Sequence, residues 1–197
     1  MSVYDVAILG SGPGGYVAAL RAALRGADTC IIEKADLGGV CLNVGCIPTK
    51  AMLYGSHVYR GLGEVERFGL SAGPRDVDGP AFMKRVAGVV DGLCKGVAGL
   101  LKKRGVDVIR GRGRLVARDR LAVETDDGTR EVQARAIILA TGSSPVRPGF
   151  ASWDSDRFWT TDEATTADFL PESALIVGGG SAGASGGRGA VRGGCAV

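Results

Sequence analysis

Residues 3–15 read VYDVAILGSGPGG, an apolar run that leads directly into a turn rich in glycine. The apolar run predicts a short buried strand over residues 3–9. The turn has the spacing G-x-G-x-x-G, and an alanine-rich helix is predicted after it, over residues 16–25. A second apolar run at residues 29–33 predicts another strand. This strand–turn–helix–strand order predicts a βαβ unit, and hence an α/β fold with a Rossmann-like parallel sheet.

The glycines of this turn have separate roles in the predicted unit. Gly10 permits the tight turn, Gly12 lets the backbone approach a pyrophosphate group, and Gly15 lets the helix pack closely on the sheet. The start of the helix offers N–H groups and a partial positive charge to phosphates. Glu33, at the end of the second strand, is expected to accept hydrogen bonds from the hydroxyls of an adenosine ribose. The pattern predicts a dinucleotide site; the alternative is a glycine turn that binds no ligand.

The rest of the chain is predicted to continue the α/β pattern. Apolar periodicity predicts a helix over residues 41–59, with a disturbed first turn, and a long amphipathic helix over residues 80–104. Short alternating segments around a turn at Asp127-Gly128 predict a three-stranded β-meander. Residues 143–171 are predicted to be a linker with a few short elements. The strands of the meander are predicted over residues 114–116, 121–124 and 130–133. Three further strands are predicted over residues 106–109, 136–140 and 174–177.

Composition and charge exclude several classes of function. The chain has 197 residues and a formal net charge of only +3, without the basic stripe that binds nucleic acid. No apolar run approaches the ~20 residues that span a bilayer, so no membrane partner is expected. The first residues lack the pattern of a signal peptide, and we expect a cytoplasmic protein. In a reducing compartment, five cysteines do not indicate a disulfide scaffold.

Two cysteines fall within residues 38–50, which read GGVCLNVGCIPTK. Five positions on a regular helix turn the chain through about 140°, so the side chains of Cys41 and Cys46 would not face each other. Gly45 and Pro48 allow departures from regular geometry that could bring the two sulfurs together. Such a pair is expected to exchange between dithiol and disulfide. Two unrelated buried cysteines are the alternative.

The other candidate residues are expected to be inert. A zinc site would need two further ligands, and His57 is the only histidine, so no metal site is predicted. His57 has no neighbouring carboxylate in the sequence and is expected to be a structural or surface residue. Cys30 is expected in the core of the second strand, Cys94 as a packing residue on the long helix, and Cys195 in an irregular tail.

Four segments of the chain match, in order, the motifs of one known family. Residues 4–16 are similar to its FAD fingerprint, and residues 39–48 are similar to the redox segment of its lipoamide branch. Residues 137–142 (IILATG) resemble the strand that reaches the flavin, and residues 175–180 (LIVGGG) resemble the start of its NAD-binding domain. Together these segments resemble the lipoamide dehydrogenases, within the FAD-dependent pyridine nucleotide–disulfide oxidoreductases. The resemblance covers about residues 4–183.

The resemblance implies a reaction and the roles of particular residues. Cys46 would be the thiol against the flavin, Cys41 the interchange thiol that reacts with the lipoyl group, and Lys50 the cation near the flavin N5. The implied reaction is oxidation of dihydrolipoamide with NAD⁺ as final acceptor, serving 2-oxo acid dehydrogenase complexes, and full-length relatives are expected to be homodimers. The residues implied to bind FAD are Gly10, Gly12, Pro13, Gly14, Gly15, Glu33, Lys34, Gly39, Val40, Lys50, Gly113, Ala140, Thr141 and Gly142. Those implied to begin the NAD site are Gly178, Gly180 and Gly183.

Two alternatives remain beside this function. Glutathione and mercuric reductases tend to carry Thr at the position of Val40 and Val at the positions of Leu42 and Ile47, so these residues favour the lipoamide branch. The second alternative is a non-catalytic or unstable flavin-binding fragment, since family members are more than twice this length. Their interface domain, which supplies an acid–base histidine, is expected to be absent. Ser185 stands where the family usually carries a glutamate that pairs with Lys50.

The chain is predicted to depart from the family near its end. The expected domains are an FAD-binding domain over residues 1–145, without its C-terminal return segment, and a linker over residues 146–172. Residues 173–183 would be the first strand and glycine turn of an NAD-binding domain. Residues 184–197 are expected to be an irregular Gly/Arg-rich tail, which a shifted reading frame or an authentic end would explain.

Overall fold

The structure is a computed structural model that describes residues 3–73 and 76–192. The chain divides into two units, residues 1–43 with 92–144, and residues 44–91 with 145–197. Residues 44–91, expected in the first domain, therefore group with the C-terminal residues.

The strands are β1 (Tyr4–Leu9), β2 (Thr29–Glu33), β3 (Asp107–Arg110), β4 (Arg112–Ala117), β5 (Arg120–Thr125) and β6 (Gly128–Leu139). The helices are α1 (Pro13–Leu24), α2 (Gly39–Asn43), α3 (Cys46–Leu62), α4 (Gly79–Lys103), α5 (Thr161–Thr166) and α6 (Ser181–Arg192), with a 3₁₀ turn at Val65–Phe68.

The first unit contains a six-stranded mixed sheet in the order β3-β2-β1-β6-β5-β4. Strands β3, β2, β1 and β6 are parallel, whereas β5 and β4 extend the sheet in antiparallel pairs. Ile8 pairs with Ile31 on one side and with Ile138 on the other. All five residues of β2 are buried, as expected of an interior parallel strand. The α/β class and the Rossmann-like sheet predicted from the sequence are confirmed.

Strand β6 is longer than the sequence predicted. The patterns at residues 130–133 and 136–140 predict two strands, but one strand of 12 residues replaces them and ends at Leu139. Residues 128–133 pair with β5 in antiparallel fashion, and the following residues pair with β1 in parallel. The change of apolar pattern therefore marks a change of partner rather than the end of a strand. One continuous strand joins the meander to the parallel sheet.

The helix predicted over residues 41–59 is interrupted. Helix α2 ends at Asn43 and α3 begins at Cys46. Gly45, between them, has φ −133° and ψ −108°, far from helical values. Pro48 lies in the first turn of α3, where its missing N–H costs no hydrogen bond, and it is buried. The expected disturbance is therefore a complete break between two helices.

Helix α4 lies close to its predicted bounds of residues 80–104. Its buried side chains include Val86, Val97 and Leu101, which the apolar pattern identified. Leu93 and Leu100, on the predicted apolar side, are 45% and 49% exposed. In the described part of the chain, no helix combines the length and the apolar character needed to cross a membrane.

The second unit is built largely of helices. Helix α6 packs against α3 and α5. A capping box begins α5. The Thr160 side chain accepts a hydrogen bond from the Asp162 N–H, and the Glu163 carboxylate accepts one from the Thr160 N–H. Gly55 of α3 leaves space for the ring of Phe82, because a Cβ at position 55 would overlap that ring. These local contacts fix the helices of this unit.

Two predictions for the second unit are wrong. Residues 174–177 form no strand, and Leu175 and Val177 are 92% and 72% exposed. A strand needs a neighbour for its backbone groups, and the sheet described above does not include these residues.

Residues 184–192 belong to helix α6 instead of an irregular tail. Packing against α3 offsets the cost of the glycines in α6, about 1 kcal/mol each relative to alanine. Residues 193–197, with Cys195, lie outside the described residues.

Two glycines of the first unit should respond oppositely to alanine. Gly96 lies in α4, and no atom lies within 4 Å of the place that an added methyl group would take, so Gly96→Ala should raise the free energy of unfolding by about 0.5–1 kcal/mol. Gly111 has φ +148°, and a Cβ there would lie 2.8 Å from Cγ1 of Val123 and closer still to the Glu124 carbonyl. Gly111→Ala should lower the free energy of unfolding by about 2 kcal/mol or more. Urea unfolding measures both, and equal effects of the two substitutions would contradict these contacts.

Candidate functional site

The first glycine turn is held by close backbone contacts. Gly10 has φ +101°, and a Cβ there would lie 2.8 Å from the Ala140 carbonyl carbon. A Cβ at Gly15 would lie 2.8 Å from the Gly10 carbonyl carbon and would overlap its oxygen. Both positions therefore require glycine for the fold itself. Gly12 differs, because nothing lies within 4 Å of its missing side chain. The turn thus combines two positions fixed by the fold with one that faces open space.

Helix α1 begins at this open position. Gly12 is its N-cap and provides no side chain to bond the first N–H groups, and Pro13 occupies the first turn. The N–H groups of Gly15 and Tyr16 bond the Gly12 carbonyl at 2.8 and 2.9 Å. Pro13 and Gly14 are exposed. A helix of 12 residues that begins beside open space can bind a phosphate group there.

Glu33 contacts the same turn. Its carboxylate accepts hydrogen bonds from the N–H and the hydroxyl of Ser11, at 2.8 and 2.7 Å, and from the Ala35 N–H at 2.9 Å. Ser11 is fully buried and Glu33 is 8% exposed. Burial is the strongest influence on the Glu33 pKa and favours the neutral form. The hydrogen bonds from Ser11 and Ala35 outweigh burial and hold the pKa below its ordinary value of 4.5. The carboxylate is therefore kept ionised at the turn.

Gly39 and Ala140, two of the other predicted FAD-binding residues, lie against this turn. Gly39 has φ +60°, and a Cβ there would lie 2.7 Å from the Cα of Gly12. The Ala140 N–H bonds the Leu9 carbonyl at 2.8 Å. Gly113 leaves space for side chains of β1 and β2, since a Cβ there would lie 3.1 Å from Cγ2 of Ile32. Besides Pro13 and Gly14, the predicted residues that are exposed in this unit are Lys34, Val40, Thr141 and Gly142.

The predicted redox residues lie on separate helices. Cys41 is half-buried in the middle of α2 in the first unit, and Cys46 is exposed as the first residue of α3 in the second unit. Both are thiols in this structure. Lys50 is exposed on α3. His57 is also exposed on α3, the surface location that was one of its two expected roles.

Cys30 is the inert thiol that the sequence predicts. It lies in β2 and is fully buried. Burial, and next the nearby Asp107 carboxylate, raise the pKa of Cys30 to about 12. The thiol therefore stays protonated at neutral pH and is a poor nucleophile.

The second glycine turn repeats the geometry of the first. Gly178 has φ +109°, and a Cβ at Gly183 would overlap the Gly178 carbonyl oxygen. Nothing lies within 4 Å of the missing side chain of Gly180. Helix α6 begins at Ser181, directly after this turn. The i, i+2, i+5 glycines thus occupy equivalent positions in both turns, although the second turn is not preceded by a strand.

Sequence reasoning missed two polar contacts of this site. Ser11 occupies a variable position of the glycine pattern, so its contact with Glu33 was not expected. Cys94 donates a hydrogen bond from its thiol to Oδ1 of Asn43 at 3.3 Å, whereas only a packing role was predicted. The partners are 22 and 51 residues apart in sequence. The one feature of the sequence that could have indicated the Cys94 contact is the location of Asn43 between the two redox cysteines.

The fold and these motifs define a class of protein. The sequence pattern described as pyridine nucleotide-disulphide oxidoreductase matches residues 4–196, and the chain belongs to that family. The family inferred from residues alone is therefore confirmed.

Relatives within the family have more specific names. The chain is 45% identical over 182 residues to a dihydrolipoyl dehydrogenase of Chlorobaculum tepidum, which covers 91% of this chain and 39% of that protein. It is 41% identical over 187 residues to a dihydrolipoyl dehydrogenase of Bacillus subtilis, with 90% and 39% covered. The chain thus spans about two fifths of the length of these relatives.

A solved structure has the same fold. The Cu(II) complex of the HOCl-induced flavoprotein disulfide reductase RclA from Escherichia coli superposes with a TM-score of 0.85 and 24% sequence identity. The match covers 99% of this chain and 41% of that chain. At this identity the likeness supports the fold alone.

The lowered pKa of Glu33 predicts how stability depends on pH. A carboxyl group whose pKa is lower in the folded than in the unfolded state stabilises the fold above its unfolded pKa, and this contribution is lost as the pH falls through the folded value. Glu33→Gln should therefore lower the free energy of unfolding at pH 7 by about 1–3 kcal/mol. The difference from wild type should shrink as the pH falls below about 4.5.

Urea unfolding between pH 7 and pH 3 measures this difference. Glu124→Gln, at an exposed position in β5, is the matched control for the loss of a carboxylate. A Glu33→Gln difference that stays constant across this range would contradict the assigned role of the ionised carboxylate.

Proposed function

We propose that this chain carries the FAD-binding turn and the redox dithiol of a dihydrolipoyl dehydrogenase. The observation that carries the proposal is the contact of Gly39 with Gly12. Gly39 begins α2, the helix with Cys41, and Gly12 is the open position of the dinucleotide turn. The redox segment therefore starts on the turn that would hold the pyrophosphate of FAD. The names of the relatives support dihydrolipoyl groups as the substrate.

The residues of the first unit fit FAD. The open space at Gly12 and the uncapped start of α1 suit a pyrophosphate, and the ionised Glu33 beside the turn suits ribose hydroxyls. The Glu33 charge would also disfavour a 2′-phosphate. The other residues proposed to contribute are Pro13, Gly14, Lys34, Val40, Gly113, Ala140, Thr141 and Gly142.

The proposed chemistry of this chain's own residues is thiol–disulfide exchange by Cys41 and Cys46. In the proposed reaction the two thiols of a dihydrolipoyl group become a disulfide, while a Cys41–Cys46 disulfide is reduced to two thiols. Cys41 exchanges with the lipoyl sulfur, and Cys46 is the thiol placed against the flavin. A bound FAD would supply the two-electron redox chemistry that links the dithiol to NAD⁺. Lys50 is the proposed cation near the flavin.

The second glycine turn is the proposed start of the NAD site. Gly178 and Gly183 reproduce the close contact of the first turn, and Gly180 reproduces its open position. Helix α6 begins directly after the turn and would offer its N-terminus to a phosphate. Ser185 lies on α6, which packs against the α3 helix that carries Lys50. A pairing partner for Lys50 at position 185 would therefore lie on a neighbouring helix.

The proposed partners follow from the same assignment. The lipoyl group of a 2-oxo acid dehydrogenase complex would be the substrate, and a second copy of the chain would complete a homodimer. The names of the relatives support the dihydrolipoyl substrate, and the family resemblance supports the homodimer.

Two glycine variants separate FAD binding from folding. Gly12→Ala adds a methyl group only to open space, so the fold should persist while FAD affinity falls at least about tenfold. Gly15→Ala forces a methyl group against the Gly10 carbonyl and should lower the free energy of unfolding by about 2 kcal/mol or more. Flavin fluorescence titration and urea unfolding measure the two quantities. Unchanged FAD affinity in Gly12→Ala would argue against the proposed pyrophosphate position.

Anaerobic spectra test the dithiol chemistry in the full chain. After saturation with FAD, addition of dihydrolipoamide should produce a long-wavelength absorption band from the contact of a thiolate with the flavin. Cys46→Ser should abolish this band, whereas Cys195→Ser should retain it. Cys41→Ser should bind FAD normally but should no longer be reduced by dihydrolipoamide. A protein that binds FAD but never develops the band would be a non-catalytic flavin-binding chain.

A further inference from the structure

We propose that Asn43 is a positioning residue for Cys41, and that the thiol of Cys94 orients the Asn43 side chain. The inference rests on the proposed redox role of Cys41 and Cys46. Asn43 is the last residue of α2, two positions after Cys41. Cys94 lies on α4, in the same unit of the structure. The structure thus assigns a role to a third cysteine that does not itself exchange electrons.

The Asn43 amide bonds three groups. Its Nδ2 donates to the carbonyl oxygens of Leu37 and Gly39, at 3.1 and 3.0 Å. Its Oδ1 accepts a hydrogen bond from the Cys94 thiol at 3.3 Å. Backbone carbonyls only accept hydrogen bonds, so Nδ2 must face Leu37 and Gly39 and Oδ1 must face the sulfur. The thiol donor therefore matches the single amide orientation that the carbonyls allow.

Helix α2 depends on such bonds because it is very short. Its five residues are far fewer than an isolated helix needs in water. It also begins after Gly38 and at Gly39, which have φ +98° and +60°, conformations that few other residues adopt. The Asn43 side chain spans the helix by bonding the carbonyl of Gly39, four residues earlier. Loss of this bond should let α2 open locally and release Cys41.

Helix α4 provides a fixed base for Cys94. It is 25 residues long, and Val97 and Leu101, in the turns that follow Cys94, are 7% and 0% exposed. The sulfur is therefore held by a packed helix, while the segment that it contacts is short and rich in glycine. The Cys94 thiol restrains α2 from outside, and the Asn43 amide restrains it from within.

Residue-resolved alkylation tests this positioning without FAD. The rate at which iodoacetamide modifies each cysteine of the reduced full chain is followed by peptide mass spectrometry. Asn43→Ala should raise the Cys41 rate about tenfold, because loss of these hydrogen bonds favours local opening of α2. Asn43→Asp should have a similar effect, since an ionised carboxylate cannot donate to the Leu37 and Gly39 carbonyls. An unchanged Cys41 rate in both variants would overturn the proposal.

The buried thiol of Cys30 is an internal control for unfolding. It is fully buried in β2 and reacts only when the sheet opens. A purely structural role for Asn43 would raise the Cys30 and Cys41 rates together, and that outcome would also count against positioning. The expected result is a rise at Cys41 alone.

Two substitutions at position 94 isolate the thiol donor. Cys94→Ser retains an O–H donor and should leave the Cys41 rate within about twofold of wild type. Cys94→Ala removes the donor and should raise the rate by about threefold to tenfold. Equal rates in the two variants would show that Cys94 only fills space, as the sequence predicted.

The equilibrium between the Cys41–Cys46 pair and glutathione gives a second measurement. The quantity measured is the ratio of reduced to oxidised glutathione at which half of the Cys41–Cys46 pairs are oxidised. Oxidation removes two electrons and two protons from Cys41 and Cys46 and reduces one glutathione disulfide to two glutathiones. A looser α2 has more conformational freedom to lose on closure, so Asn43→Ala should lower the equilibrium constant for disulfide formation by about threefold to tenfold. If the wild-type chain forms the Cys41–Cys46 disulfide and Asn43→Ala has the same equilibrium constant for its formation, the positioning role is overturned. A wild-type chain that forms no Cys41–Cys46 disulfide overturns the proposed function instead, while the alkylation rates still test Asn43.

Discussion

The approach of Gly15 to the Gly10 carbonyl is the constraint on which the first unit depends. The two backbones are so close that no side chain fits between them, and Ala140 closes the other side of Gly10. Strand β1, helix α1 and the end of β6 therefore meet at one point. Gly39 adds the start of α2 to the same point through its contact with Gly12. A single steric requirement thus fixes the sheet, the helix N-terminus and the segment with the first redox cysteine.

Much of this fold could be predicted because its strongest signals are local. The apolar runs of β1 and β2 and the glycine spacing between them are readable within residues 3–33. The errors arise where distant partners decide the structure. Strand β6 changes partner halfway along, residues 174–177 lie outside the described sheet, and α6 packs on α3 despite its glycines. None of these outcomes is determined by the residues of the segment itself.

The candidate site divides in the same way. The glycine turn, Glu33 and the two cysteines were found from residue type and spacing. The contacts that orient them were not, because Ser11 meets Glu33 across the βαβ unit and Cys94 meets Asn43 across 51 positions. A serine at a variable motif position and an isolated cysteine on a long helix have no local pattern that predicts such a partner. Only the packed fold brings these groups within hydrogen-bonding distance.

The open space at Gly12 has an evolutionary consequence. Gly10, Gly15 and Gly39 are held by contacts within the chain, so mutation at those positions is opposed by folding whether or not a cofactor binds. Gly12 meets no such opposition, and only a bound ligand would select against a side chain there. A lineage that lost its cofactor would accumulate substitutions at position 12 before positions 10, 15 and 39. The residue found at that position in descendants of this gene would therefore record how long selection for the ligand persisted.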